Sequence, residues 1–396
     1  MPIVCLKPGH VQPVWAGHPW IYAQAIERVE GGATAGDEVS VVDPRGNFLG
    51  RGFYSPGSAI PVRIVVRDQT TRIDGYFFHD KLARAAAWRK EIGLPGPETT
   101  GYRLVHADGD GLPGLIVDVL GDVVAVQLLT FGMKARESLV LQAIVDIVRP
   151  RAIVDRTPAR TAAAEGFEAK SGAVLGADIT ELAFVERGLQ FRIPIDLGQK
   201  TGFYFDQRGL RARVEALARG KRVLDAYSYV GPFALAAARG GATEVVAIDE
   251  SALALEIGAE CARLNGLEGR IRFEKRDARV AMQSAGDASN GFDLVLADPP
   301  RLAPSRGSRD AALVGYAKVA ELAARATKPG GLLVLSSCSA AIDVGALTRA
   351  LAMGALRANR SATVVERSYQ GPDHPVVAAH PEGLYLKSVI ARIDAR

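Results

Sequence analysis

From about residue 190 the chain repeats one rhythm: a short apolar run, a turn, then an amphipathic segment. RVLDAYSYVG, EVVAIDES, IRFEKRDA, FDLVLADPP and LLVLSSCSA are the strand-like runs. PFALAAARGG, ALALEIGAECARLNG and YAKVAELAARATKPGG supply helices between them. Strands that alternate with helices build βαβ units, so residues 190–396 are predicted to form an α/β domain around a parallel sheet. TVVERSYQ (363–370) and GLYLKSVIARI (383–393) have no helix between them, which predicts an antiparallel pair at the end.

Two other textures come first. Residues 1–70 alternate in the β manner: VSVVDPRGNFLGRGFYSP gives two strands around a turn at Asp43-Pro44-Arg45-Gly46, and IPVRIVVR a third. A small β-barrel is the expected fold. Its seven basic and seven acidic residues through position 75 balance, so charge alone marks no nucleic-acid footprint. Residues 75–185 mix helical runs (77–93 and 136–149) with strands (101–130 and 152–156) and read as a compact α+β module. A chain of 396 residues accommodates three such domains at roughly 100–200 residues each.

Composition excludes several classes. Hydrophobic residues are 48% and charged residues 23%, which rules out whole-chain disorder. Cys5, Cys261 and Cys338 are too few and too scattered for a disulfide framework or a cysteine-type zinc or iron–sulfur site, so no metal is expected and a reducing cytoplasm is the simplest compartment. No signal-peptide pattern opens the chain and no uncharged run of about 18 apolar residues occurs, so no membrane association is expected.

Ligands of open α/β sheets sit at the carboxyl ends of the strands. Asp225, Asp249, Asp277 and Asp298 all fall there. Asp249 lies 24 residues after Asp225, where an acid can bind a ribose diol. The first loop, D-A-Y-S-Y-V-G-P with Ser228 and Gly231, lacks the G-x-G-x-x-G pyrophosphate cradle. That disfavours NAD and suits a nucleoside cofactor without phosphates, of which S-adenosylmethionine is the common one. Any one of these acids can instead cap the following helix; four in register point to a site.

Asp298-Pro299-Pro300-Arg301 ends the fourth strand and Ser336-Ser337-Cys338-Ser339 the fifth. Neighbouring strand ends lie about 5 Å apart, so carboxylate and thiol are expected to face one pocket. Methylation of an exocyclic amine needs no nucleophile and favours an aromatic residue where Arg301 stands. Methylation at C5 of a pyrimidine does need one: a thiolate adds to C6 and makes C5 nucleophilic. Cys338 is placed for that role, Asp298 for the N3/N4 edge of cytosine, while Cys5 and Cys261 read as packing residues. In DLGQKTGFYFDQRGLR, Lys200, Thr201, Phe203, Gln207 and Arg208 form a further polar and aromatic cluster, of which Gln207 and Arg208 can hold a cofactor carboxylate. Residues 206–222 carry a net charge of +4 and residues 301–325 a net of +3, either phosphate contacts or solvated helix faces. The candidate cofactor set is thus Asp225, Ser228, Gly231, Asp249, Asp277 and Asp298 with Thr201, Phe203 and Gln207. The candidate RNA contacts are Lys200, Arg208 and Arg301.

GQKTGFYFDQR, VLDAYSYVGPFALAAARGGA, VLADPPR, LSSCS and DHPVVAAHPEGLYLKS together resemble the bacterial large-subunit ribosomal RNA cytosine-5 methyltransferase family. LKPGH…GHPWIYAQAI…GDEVSVVDPRGNFLGRGFY resembles its PUA segment, and YRLVHADGDGLPGLIVD its central domain, so the resemblance spans essentially the whole chain. It implies an N-terminal PUA-like barrel, a central α+β domain and a class I, Rossmann-like S-adenosylmethionine methyltransferase domain. It also implies Cys338 as nucleophile, Asp298 as base-binding partner, cofactor contacts from Asp225, Asp249 and Asp277, and a 23S ribosomal RNA cytosine as target. The sequence departs from the family pattern at Arg301-Leu302 and at Gly231-Pro232. Three alternatives stand beside this reading: an RNA uracil-5 methyltransferase, a small-molecule or protein methyltransferase, and a non-catalytic RNA-binding or ribosome-assembly protein. Oligomeric state, a homodimer included, stays open.

Overall fold

A computed structural model describes residues 1–170, 172–197, 201–287, 291–302 and 309–396. The chain divides into two compact units. The first comprises Met1–Arg187, Ile193–Phe205 and Pro372–Gly383; the second comprises Gly188–Arg192, Asp206–Gly371 and Leu384–Arg396.

The first unit carries a six-stranded and a five-stranded sheet, and Phe53, Val65 and Val66 of the former pack into the core of the latter. Strands Trp20–Ile21, Val62–Val66, Phe48–Tyr54, Glu38–Val42, Ile3–Leu6 and Ile26–Glu30 hydrogen-bond in that order. Alternation buries Val4, Leu6, Val39, Val41, Val62 and Ile64 on one side. The turn expected at 43–46 forms because the Asp43 carboxylate accepts the N–H groups of Arg45 and Asn47, both at 2.8 Å, and Gly46 takes φ +86°. The second sheet runs Gly172–Gly176, Ala152–Asp155, Val123–Leu128, Leu115–Leu120, Gly101–His106. Helices Gly75–Glu91 and Glu137–Val148 supply Phe78, Leu82, Val140 and Ile144 to its core. Asp74 starts the first of these helices by accepting the Phe77 N–H.

A polar network is buried in this unit. The Arg89 guanidinium, fully buried, holds Asp110 at 2.5 and 2.8 Å and the Asp373 carbonyl at 2.7 Å. Arg103 pairs with Asp118 at 2.5 and 2.9 Å, and Asp118 also accepts the Thr201 hydroxyl. His106 and His374 pack with ring centroids 4.8 Å apart beside them.

In the second unit the strands are β1 (Arg222–Ala226), β2 (Glu244–Asp249), β3 (Ile271–Lys275), β4 (Phe292–Ala297), β5 (Thr327–Ser337), β6 (Arg360–Tyr369) and β7 (Lys387–Ala395). The helices are α1 (Arg208–Leu217), α2 (Pro232–Arg239), α3 (Ala252–Leu264), α4 (Ala278–Asp287), α5 (Arg309–Ala326) and α6 (Val344–Arg357). The sheet order is β3-β2-β1-β4-β5-β7-β6. β1 to β5 are parallel, and β7 runs antiparallel between β5 and β6. The predicted parallel sheet and terminal antiparallel pair are therefore present. The order reverses between β1 and β4, which creates a crevice at their carboxyl ends. Packed beneath lie Leu224, Val246, Val295, Leu333 and Leu335 with the alanine-rich faces of α5 and α6, including Ala317, Ala320, Ala324 and Ala350. Among the described residues no helix is long and apolar enough to cross a membrane.

Candidate active site

The four acids of the α/β region come to the carboxyl ends of β1 to β4 because each lies within two residues of the end of a parallel strand of five or six residues. Asp225, on β1, is 2% exposed and accepts the Ala234 N–H at 3.0 Å. Burial, with the charges of Asp298 and Asp249 adding to it, pushes its carboxyl up to about 8, against the pull of that hydrogen bond. Asp249, closing β2, accepts the N–H of Tyr229 at 2.8 Å and of Ser251 at 2.9 Å. Asp277 follows β3 and is gripped by Arg279, through its backbone N–H at 2.7 Å and its guanidinium at 3.0 Å. The Arg279 hydrogen bonds hold this half-buried carboxyl below its usual range. Asp298 follows β4, and the Gln207 amide donates to it at 2.5 Å.

The loop from 227 to 231 is wound tightly. Tyr227, Tyr229 and Gly231 have φ of +71°, +54° and +72°. Two bonds tie it to β2, Ser228 N–H to the Ile248 carbonyl at 2.8 Å and Tyr229 N–H to Asp249. Left-handed backbone at two tyrosines is costly and concentrates at ligand sites. Gly231 allows the turn into α2, where a Cβ would stand 3.0 Å from the Phe273 ring. Ser228 Oγ and Gln207 Oε1 are buried and have no hydrogen-bond partner among the described residues. Such atoms are expensive unless a ligand completes them, so the crevice fits a polar cofactor with hydroxyl, amine or carboxylate groups.

β4 and β5 are parallel neighbours with Ala297 opposite Leu335, so Asp298 and Cys338 leave adjacent strand ends. Cys338 is half-buried, whereas Cys5 and Cys261 are buried. The turn around Cys338 is braced: Ser337 Oγ donates to the Tyr316 hydroxyl of α5 at 2.9 Å and accepts the Ser339 N–H at 3.3 Å. Burial pushes the Tyr316 phenol up, which keeps it neutral.

The remaining predicted residues scatter. Thr201 and Phe203 lie in the first unit, Thr201 bonded to Asp118 and Phe203 packed on Phe184 and Phe205 at 5.0 and 5.2 Å. Arg208 opens α1, Arg301 is exposed after Pro300, and Lys200 falls outside the described residues. Many cations of the two basic runs are engaged: Arg213 with Glu366 at 2.6 Å, Arg222 with Glu244 at 2.6 Å, and Lys318 and Arg325 with Glu321 at 3.2 and 3.1 Å. Arg211 is buried over the Phe233 ring. Net charge along the sequence therefore overstates the positive surface. Sequence reasoning missed Tyr316, whose signal was a lone phenol in an alanine-rich helix, and Lys387, a lysine leading into the apolar run Val389–Ala391.

His18, His380 and Glu382 of the first unit form a triangle with sides of 3.4 and 3.5 Å. His18 Nδ1 accepts the Trp20 N–H at 3.1 Å, which leaves the ring proton on Nε2, facing the carboxylate. The triangle reads as a hydrogen-bonded clasp.

Comparison with known proteins agrees with this geometry. Residues 4–67 match the model of a PUA-like domain, and residues 151–390 that of S-adenosylmethionine-dependent methyltransferases. The chain is 36% identical to ribosomal RNA large subunit methyltransferase I of Shewanella denitrificans, over 98% of each chain. It is 34% identical to the protein of that name from Klebsiella pneumoniae, over 99% of this chain and 98% of the other. The solved structure of SMU.776 complexed with SAH superposes with a TM-score of 0.86 at 18% identity, covering 99% of this chain and 100% of that one. With a PUA-like N-terminal domain, a Rossmann-like sheet and the cofactor crevice at its switch point, the chain belongs to the S-adenosylmethionine-dependent ribosomal RNA large subunit methyltransferase I family.

Proposed function

We propose that this protein methylates C5 of a cytosine in 23S ribosomal RNA through a covalent adduct between Cys338 and C6, working in the cytoplasm. Residues 1–70 serve as the RNA-binding PUA-like domain, 75–185 as a central α+β domain, and 190–396 as the methyltransferase domain. The observation that carries the reading is the placement of Asp298 and Cys338 at adjacent strand ends beside the crevice.

Asp225, Ser228, Gly231, Asp249, Asp277 and Gln207 would hold the cofactor, Ser228 Oγ and Gln207 Oε1 finding in it the partners they lack. When bound, S-adenosylmethionine supplies the electrophilic methyl that C5 accepts. The Cys338 thiolate adds to C6 while Asp298 hydrogen-bonds the N3/N4 edge and stabilises a proton on N3. Loss of the C5 proton to a base then expels the thiolate and restores the aromatic ring. Gln207 keeps Asp298 aimed at the base, and Arg208, Arg301 and Lys200 contact RNA phosphates.

The test is methyl transfer from labelled S-adenosylmethionine to unmodified ribosomal RNA, wild type beside Cys338→Ala, with the product nucleoside identified by mass. 5-Methylcytidine from the wild type and none from the variant is the expected result. 5-Methyluridine would transfer the protein to uracil-5 chemistry, and full activity of Cys338→Ala would end the covalent mechanism.

A further inference from the structure

Lys387 is the first residue of β7 and is 3% exposed. It pairs with Ser337 of β5 on one side and Tyr369 of β6 on the other. Its Nζ donates to the Ser339 carbonyl at 2.6 Å, immediately after Cys338. The next residue repeats the tie one position back, Ser388 Oγ meeting Ser336 Oγ at 2.7 Å. The Ser337-Cys338-Ser339 turn is thus clamped from α5 through Tyr316 and from β7 through Lys387.

A hydrogen bond to one carbonyl needs no charge, and glutamine could make it. A buried ammonium is costly unless an anion faces it. The charged groups that act on Lys387 are Cys338 and Asp343, which favour its protonated form, and Arg301, which opposes it. Asp343 already caps α6, accepting the Ala346 N–H at 2.7 Å, and pairs with Arg309 at 3.3 Å. Among the described residues, Cys338 and Asp298 also act on the Tyr316 phenol, which braces the same turn.

We propose that Lys387 is a positioning residue for Cys338: its ammonium, fixed on the carbonyl of Ser339, the residue that follows the thiol, stabilises the thiolate that attacks the base. Burial pushes the Lys387 ammonium down to about 8, so this support is present at neutral pH and fades as the lysine loses its proton. The inference rests on the reading of Cys338 as nucleophile, and it adds a group that acts on substrate only through that thiol.

Three variants separate charge from hydrogen bond: Lys387→Met removes both, Lys387→Gln keeps a donor for Ser339, and Lys387→Arg keeps both. The readout is the rate of Cys338 alkylation by iodoacetamide in the full chain at pH 7, followed by peptide mass spectrometry, with thermal unfolding alongside. Lys387→Met and Lys387→Gln should alkylate about tenfold more slowly, the loss expected when one ion-pair contact near a thiolate disappears. Lys387→Arg should return to within about twofold of wild type, since it restores the cation. In single-turnover methyl transfer the same two variants should lose rate with RNA affinity unchanged. A folded Lys387→Gln that alkylates at the wild-type rate overturns the proposal, and so does failure of Lys387→Arg to rescue. Alkylation involves no RNA, so a product other than 5-methylcytidine would overturn the cytosine reading without touching this result.

Discussion

Replacing Asp225 with asparagine should stabilise the ligand-free protein, and more so as pH rises. The buried carboxyl, with its folded value near 8 against 3.8 for an unperturbed group, binds its proton more tightly in the native state than in the unfolded chain. Its stabilising share is complete below about 3.8 and is lost progressively until pH passes about 8. At about 1.4 kcal/mol per pH unit, the wild type should lose roughly 2 kcal/mol through this group between pH 6 and pH 8. The substituted amide keeps an oxygen for the Ala234 N–H and does not titrate, so the variant lacks that slope. The assay is urea unfolding by far-ultraviolet circular dichroism at pH 6, 7 and 8. Hydrogen exchange over Val223–Ala226 and Leu294–Ala297 localises the change to the second unit. A stability difference between variant and wild type that stays constant from pH 6 to 8 would refute the reasoning, because it would mean Asp225 is already ionised in the folded state. Because Asp225 is proposed to hold the cofactor, calorimetry should also show weaker S-adenosylmethionine binding by the more stable variant.

Two more outcomes follow from the same geometry. Gly231→Ala forces a side chain into φ +72° and against the Phe273 ring, so it should weaken cofactor binding by about tenfold, a strain of the order of 1–2 kcal/mol, with little change in RNA affinity; unchanged binding by calorimetry would show that the loop yields. Burial, then the neighbouring His374 and Arg103, pushes His106 well below its usual range, so the unfolded chain takes up that proton first and stability falls as pH drops below about 6.5. All three tryptophans, Trp15, Trp20 and Trp88, lie in the first unit, so their fluorescence should report a lower urea midpoint at pH 5.5 than at 7.5, with a shallower dependence in His106→Gln.

What the sequence disclosed and what it hid follow from the range of the interactions. The α/β sheet was legible because each strand and helix announces itself within ten residues, and the switch-point crevice then locates Asp225, Asp249, Asp277 and Asp298 without knowledge of side-chain packing. Cys338 and Asp298 followed from adjacency of strand ends, a property of topology. The buried network of the first unit was not legible. Thr201 meets Asp118 across 83 residues and Arg103 meets Asp373 across 270, and polar residues with such distant partners look like loop residues in a linear reading. For the same reason Thr201 and Phe203, grouped in sequence with Gln207, lie in the other unit, although only a few residues separate them. Lys387 sits between these cases. Its strand was foreseen, and alternation alone would set its face, yet the cost of burying an ammonium became visible only once Ser337, Ser339 and Tyr369 were seen around it. A charged residue opening a strand that is buried along most of its length is thus a sequence-level pointer to chemistry, because the fold tolerates its desolvation where something nearby answers its charge.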